Sequence, residues 1–96
     1  MGIEYYDSVW DAIEDTPEEA LNMRLRSELM QKITSTVRGW GTTQVESARR
    51  LGITQPRLND LLSGKINKFS LDALIKLTGP TEIHVELALS REGEAA

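Results

Sequence analysis

The sequence predicts a mainly α-helical fold of four or five helices closed by one C-terminal β-strand. Three observations predict it. Hydrophobic residues recur at helical spacing through the first two thirds of the chain. Hydroxyl residues that cap helices precede each of these runs, and glycines follow several of them. After Pro80 the hydrophobic period changes from helical to strictly alternating, which is the signature of a half-buried strand.

The elements follow in order. In "TPEE", Thr16 can accept from the Glu19 amide while Glu19 reaches back, and Pro17 suits the first helical position. Leu21, Leu25, Leu29, Ile33 and Val37, with Met30 beside them, then predict one helix from about Pro17 to Val37. "RGWG" ends it, with Gly39 or Gly41 free to take the left-handed conformation. Thr43 and Glu46 form a second capping box for a short helix running to about Leu51, stopped by Gly52. Thr54 caps a third helix, with Pro56 in its first turn, that reaches about Ser63 before Gly64. Ser70 caps a fourth, carrying Leu71, Leu74, Ile75 and Leu77, and "TGP" ends it. From Glu82 to Leu89, Ile83, Val85, Leu87 and Leu89 alternate with Glu82, His84, Glu86 and Ala88. The predicted organisation is an acidic arm over residues 1–15, a helical domain with its strand over 16–90, and a polar tail over 91–96.

Composition bounds the chemistry. The 96 residues contain no cysteine, which excludes disulfides and thiolate metal sites. No apolar run approaches a membrane span, and the N-terminus lacks signal-peptide features, so a cytoplasmic location is expected. The formal net charge is −4, but it is unevenly placed. Residues 1–19 hold seven acids and no base, whereas residues 44–68 hold five bases against two acids. An acidic arm therefore precedes a mildly basic centre, and the whole-chain average hides the contrast.

Catalysis has little to work with. His84 is the single histidine and falls on the polar face of the predicted strand, with no metal-ligand cluster around it. "SGK" resembles the end of a phosphate loop, but Asn59 stands where the earlier glycine belongs and Ile66 where Ser or Thr belongs. Glu18 and Glu19 are explained by the start of a helix. No catalytic residue, metal site or cofactor is expected.

The centre of the chain carries the strongest pattern. Gln44 is followed by Ala48, Gly52, Ile53, Leu58 and Leu61, with Val45, Leu51 and Leu62 adding apolar packing. A small residue where two helices approach, a glycine at the turn and inward leucines on the second helix are what a helix-turn-helix requires. In order and spacing this stretch resembles the phage-repressor (Cro/Xre) family, whose domain is the lambda-repressor-like fold. With the leucines inward, Thr54, Gln55, Arg57, Asn59 and Ser63 face outward or lie at the exposed tip. Gln and Asn pair bidentately with adenine, and Arg with guanine or phosphate. Lys65, Asn67 and Lys68 suit phosphate contact. The resemblance implies that Gln44 and Gln55 lie at the DNA surface, Gln44 near the backbone. Asp60 is a poor neighbour for phosphate, although it can accept from a cytosine amino group.

A lone strand leaves its backbone groups unpaired. Ile83, Val85, Leu87 and Leu89 are therefore expected to form a dimer seam with a second copy, antiparallel across a two-fold axis. A partner strand from "IEYY" is the rival. A two-fold homodimer suits double-stranded DNA with a pseudo-palindromic operator.

With the arm, the long first helix, "FSLDALIKL" and the terminal strand, residues 10–89 resemble the HigA-like antitoxins. That resemblance implies a repressor of its own operon that neutralises a toxin, commonly a small basic ribonuclease. Val9, Trp10 and Ile13 would anchor such a partner, steered by the acidic arm. Equally, the arm's aromatics can fold back on the domain's own core. The alternatives are a stand-alone repressor without a toxin, and a protein-interaction module using the same hinge.

Overall fold

The structure, a computed structural model, describes residues 16–91. Four α-helices follow one another: α1 Pro17–Gly39, α2 Gln44–Leu51, α3 Gln55–Leu62 and α4 Leu71–Lys76. A single 3-10 turn, Ile66–Lys68, lies between α3 and α4.

Each helix starts where its hydroxyl cap stands. Thr16 accepts from the Glu19 amide at 3.0 Å, Thr43 from Glu46 at 3.1 Å, Thr54 from Arg57 at 3.2 Å and Ser70 from Ala73 at 3.1 Å. Each bond satisfies an amide that has no partner within its helix. The helix ends are equally well defined. Gly52 has φ 72°. Its amide donates to the Arg49 carbonyl at 3.1 Å, while the Ile53 amide donates to Ala48 at 3.0 Å. That bond pair is a Schellman turn, and the left-handed glycine makes it possible. Gly64, φ 74°, repeats the device: its amide donates to Leu61, and the Lys65 amide donates to Asp60. At the end of α1 it is Gly41, not Gly39, that takes the left-handed conformation, and the helix extends two residues past the expected Val37.

The core lies between α1 and the other three helices. Ile33, Leu58, Leu61, Leu74 and Phe69 are its largest fully buried side chains, each stabilising the fold by roughly 2 kcal/mol of transfer free energy. Met23, Met30 and Val37 continue the buried face of α1. They stand seven residues apart, a step that drifts by only about 20° around a helix.

Several expectations are corrected here. Leu21 and Leu25 are 49% and 41% exposed, and Ala20 and Met23 take the inward positions. Four-residue steps overshoot a full turn by about 40°, so from Val37 back to Leu21 the row rotates by roughly 160°. Val45 is 60% exposed, adding nothing to the hinge packing, and Ile75 is exposed beside the buried Leu74. α4 stops at Lys76, so Leu77 is buried from the turn that follows it.

The strand from Glu82 to Leu89 is not formed within the described residues. Glu82 takes a positive φ of 56° and turns the chain. The Ile83 amide then donates to the Thr78 carbonyl, and Ile83 packs against the core. Beyond it Val85, Leu87 and Leu89 are exposed. Alternation supplies one apolar face but no neighbouring strand, and no other described segment offers a ladder. The rival partner "IEYY" lies outside the described residues. Residues 83–87 instead run along α1 and α4. With Leu25, Leu29, Leu71 and Ile75 they line an open, mostly apolar groove of about 740 Å³.

Candidate nucleic-acid interface

α2 and α3 form the hinge. Ala48 and Leu51 of α2 and Leu58 and Leu61 of α3 are buried together, with Ile53 of the turn packed against them. The far end of α3 is fastened to α1. The Leu61 carbonyl accepts from the Thr34 hydroxyl at 3.4 Å, and the Leu62 carbonyl accepts from Arg38 at 3.0 Å. Carbonyls in a last turn lack intrahelical partners, so these bonds both satisfy α3 and fix its angle to α1.

Most of the predicted contact residues are exposed, on α2, on α3 or on the segment that follows it. Gln55 and Asn59 are exposed on α3, with Thr54 exposed as its N-cap and Ser63 as its C-cap. The Thr54 hydroxyl is already engaged as the cap of α3. Gln44 is exposed at the first position of α2. Lys65, Asn67 and Lys68 are exposed on the segment after α3. Pro56 lies in the first turn of α3, where its missing N–H leaves no intrahelical bond unmade. The expected partner anchors Val9, Trp10 and Ile13 lie outside the described residues.

Arg57 differs from the expectation. It is half-buried, with its guanidinium carbon 4.0 Å from the centroid of the Phe69 ring. One of its nitrogens donates to the Lys68 carbonyl at 2.7 Å. Arg26 reaches the same segment from α1, donating to the Ile66 and Phe69 carbonyls at 3.3 and 3.1 Å. The loop that carries the lysines is therefore held by two arginines, Arg26 through one nitrogen shared by two carbonyls and Arg57 through one carbonyl and the Phe69 ring.

The charges on this face are also engaged with one another. The Asp60 carboxylate stands 3.4 Å from the Lys65 ammonium and 3.9 Å from that of Lys68. Glu46 was expected to close a capping box with Thr43. Its carboxylate instead accepts from Arg49 and lies 3.5 Å from Arg50. The hydrogen bond from Arg49 holds the Glu46 carboxyl below the usual carboxylate range, with Arg50 contributing, and it raises the Arg49 guanidinium in turn. Arg50 also lies 5.0 Å over the Trp40 ring.

Sequence reasoning missed these partners because most are distant in the chain. Arg57 meets Phe69 twelve positions on, and Asp60 meets lysines on the far side of the Gly64 turn. The one available signal was the order acid, glycine turn, two lysines. Among the described residues no group of acids and histidine could hold a metal, and no helix is long and apolar enough to cross a membrane.

A family model described as a helix-turn-helix domain matches residues 12–90. That span contains every described helix and all of the expected DNA-contact residues, leaving only residues 1–11 and 91–96 outside it. No curated protein matches the chain.

Proposed function

The chain belongs to the helix-turn-helix domain family, and from that premise we propose that it is a sequence-specific DNA-binding regulator acting as a homodimeric repressor. The observation that carries this reading is the exposed polar end of α3 on a hinge whose inward side is fully buried. Gln55 and Asn59 have the chemistry to read adenine edges. At the N-terminus of α3 the Gln55 amide is suited to phosphate, since Pro56 has no N–H and Thr54 caps the Arg57 amide. Lys65, Asn67 and Lys68 add backbone contacts beside them, with Gln44 at the other flank and Ser63 at the helix end. The domain is then the lambda-repressor-like part of the chain, over residues 16–90, preceded by the arm. No enzymatic activity or cofactor belongs to this reading, and the place of action is the cytoplasm.

The test is binding to duplex DNA from upstream of the protein's own gene against unrelated duplex at low salt. Preference for the upstream duplex is expected. Gln55→Ala should erode it by about tenfold or more, the worth of one bidentate base contact, while leaving the fold intact. No preference at any salt concentration would refute sequence-specific reading.

Homodimerisation is supported by the apolar residues that one chain leaves uncovered. Leu21, Leu25, Ile75, Val85, Leu87 and Leu89 are all exposed. A second copy would cover them and would give the segment after Ile83 a ladder partner. Light scattering at micromolar concentration is expected to give twice the chain mass, and Leu87→Asp to shift it toward one. A monomeric mass for the unaltered chain would remove the seam and, with it, the expectation of a pseudo-palindromic operator.

The antitoxin role is the finer part of the reading. It is supported by the likeness to HigA-like antitoxins and by the seven acids, with no base, that the arm and the first turn of α1 hold up to Glu19. Such charge would steer a small basic toxin toward Val9, Trp10 and Ile13. Co-expression with the neighbouring gene tests it, since a small basic protein should co-purify in a stable complex.

A further inference from the structure

We propose, on the premise that this face binds DNA, that Asp60 is an internal phosphate mimic restraining Lys65 and Lys68 and limiting binding to non-cognate duplex. The residue stands on α3 among the groups expected to approach DNA, a place where a carboxylate repels the backbone. Its side chain is 21% exposed, whereas those of Lys65 and Lys68 are 55% and 58% exposed. The carboxylate is thus sheltered at the base of the face, with both ammonium groups extending over it. Its two oxygens divide the work: Oδ1 faces Lys65 and Oδ2 faces Lys68. The Schellman turn at Gly64 sets this geometry, because the Lys65 amide donates to the backbone carbonyl of Asp60 itself at 3.0 Å. Arg57 fixes the other end by binding the Lys68 carbonyl at 2.7 Å.

A phosphate approaching either lysine meets a site already occupied by an anion. Non-specific affinity comes from lysine–phosphate contacts and counterion release. Each lysine held by Asp60 therefore adds less to that affinity than a free lysine would. Base contacts from Gln55 and Asn59 do not involve the carboxylate. Asp60 consequently lowers binding to every duplex through the same two lysines, while a cognate site adds its base contacts on top. This common penalty leaves the ratio of the two affinities unchanged, but it carries random duplex, which has only phosphate contacts, to weak binding while cognate duplex keeps its base contacts.

The test compares the full chain with Asp60→Asn and Asp60→Glu on a random-sequence duplex and on upstream duplex, over a range of salt. Asp60→Asn keeps the shape and removes the charge. Its affinity for random duplex is expected to rise about tenfold near 0.1 M salt, with the salt dependence steeper by about one unit per lysine released. Upstream duplex should gain by a similar factor, so that the ratio of upstream to random affinity stays near its original value. Asp60→Glu keeps the anion and is expected to remain near the unaltered chain.

A second comparison uses the lysine. Lys65→Gln should weaken random-duplex binding less when made with Asp60 in place than when made on the Asp60→Asn protein, where the lysine is released. An equal or larger loss with Asp60 in place would overturn the proposal. So would an Asp60→Asn protein of unchanged helicity whose affinity and salt slope match the original, or an Asp60→Glu protein that gains as much as Asp60→Asn. Those outcomes leave DNA binding itself standing. Failure of the unaltered chain and the variants to bind any duplex overturns both readings together.

Discussion

Leu58→Ala should lower the unfolding free energy by about 3 kcal/mol, the middle of the range for deleting a buried leucine side chain. Leu58 has no solvent exposure and sits where α3 meets α2 and α1. A domain of this size has only about 5–15 kcal/mol of stability in total, so this single change removes a large share. The midpoint of thermal unfolding, followed by helical circular dichroism, should fall by roughly 15 °C. Exposed Val45 provides the contrast, and Val45→Ala should move the midpoint by no more than a degree or two. Equal shifts from the two substitutions would show that Leu58 is not at the centre of a packed hinge.

Arg57→Ala has the second-largest expected effect, and its character separates two roles for this side chain. As a base reader, Arg57 would confer sequence preference, and its loss would weaken cognate binding selectively. Stacked on Phe69 and bonded to the Lys68 carbonyl, it instead positions the lysine segment. Its removal should then weaken cognate and random duplex by a similar factor, about tenfold, and leave the preference between them intact. The fold should lose about 1–2 kcal/mol, from one ring contact and one charge-assisted hydrogen bond. Arg57→Lys should not restore binding, because an ammonium keeps the charge but not the plane that stacks on Phe69. Selective loss on the cognate duplex would return Arg57 to the reading surface.

These contrasts follow what was legible in the sequence. Helix starts were readable because a cap acts over three residues: Thr16, Thr43, Thr54 and Ser70 each bond the amide three positions on. The hinge was readable for the same reason, since Ala48, Gly52 and Ile53 close their turn locally. Facing was readable only over short spans. The row from Leu21 to Val37 looked continuous in steps of four, yet its near end rotates off the core.

What depends on partners far along the chain was not legible. Neither Arg57 nor Asp60 announces its contacts by spacing, and both alter how the candidate site should be understood. Arg57 supports the segment that carries Lys68, and Asp60 is a partner of two lysines as well as a poor neighbour of phosphate. The alternating residues after Pro80 identified an apolar face, but alternation carries no information about what lies across from it. A ladder is a property of two segments, and one chain's pattern specifies only one of them.

The guanidinium ties on residues 66–69 bear on the thermodynamics of ligand capture. Backbone that must be ordered on binding costs roughly 1–2 kcal/mol per residue. Here Arg26 and Arg57 already hold the Ile66, Lys68 and Phe69 carbonyls in the free protein. Main-chain entropy is therefore spent during folding, and the exposed side chains of Asn67 and Lys68 remain to be fixed when a polyanion arrives. Calorimetry on this segment's ligands would accordingly register side-chain immobilisation and ion release, without the large heat-capacity change of a loop folding onto its target.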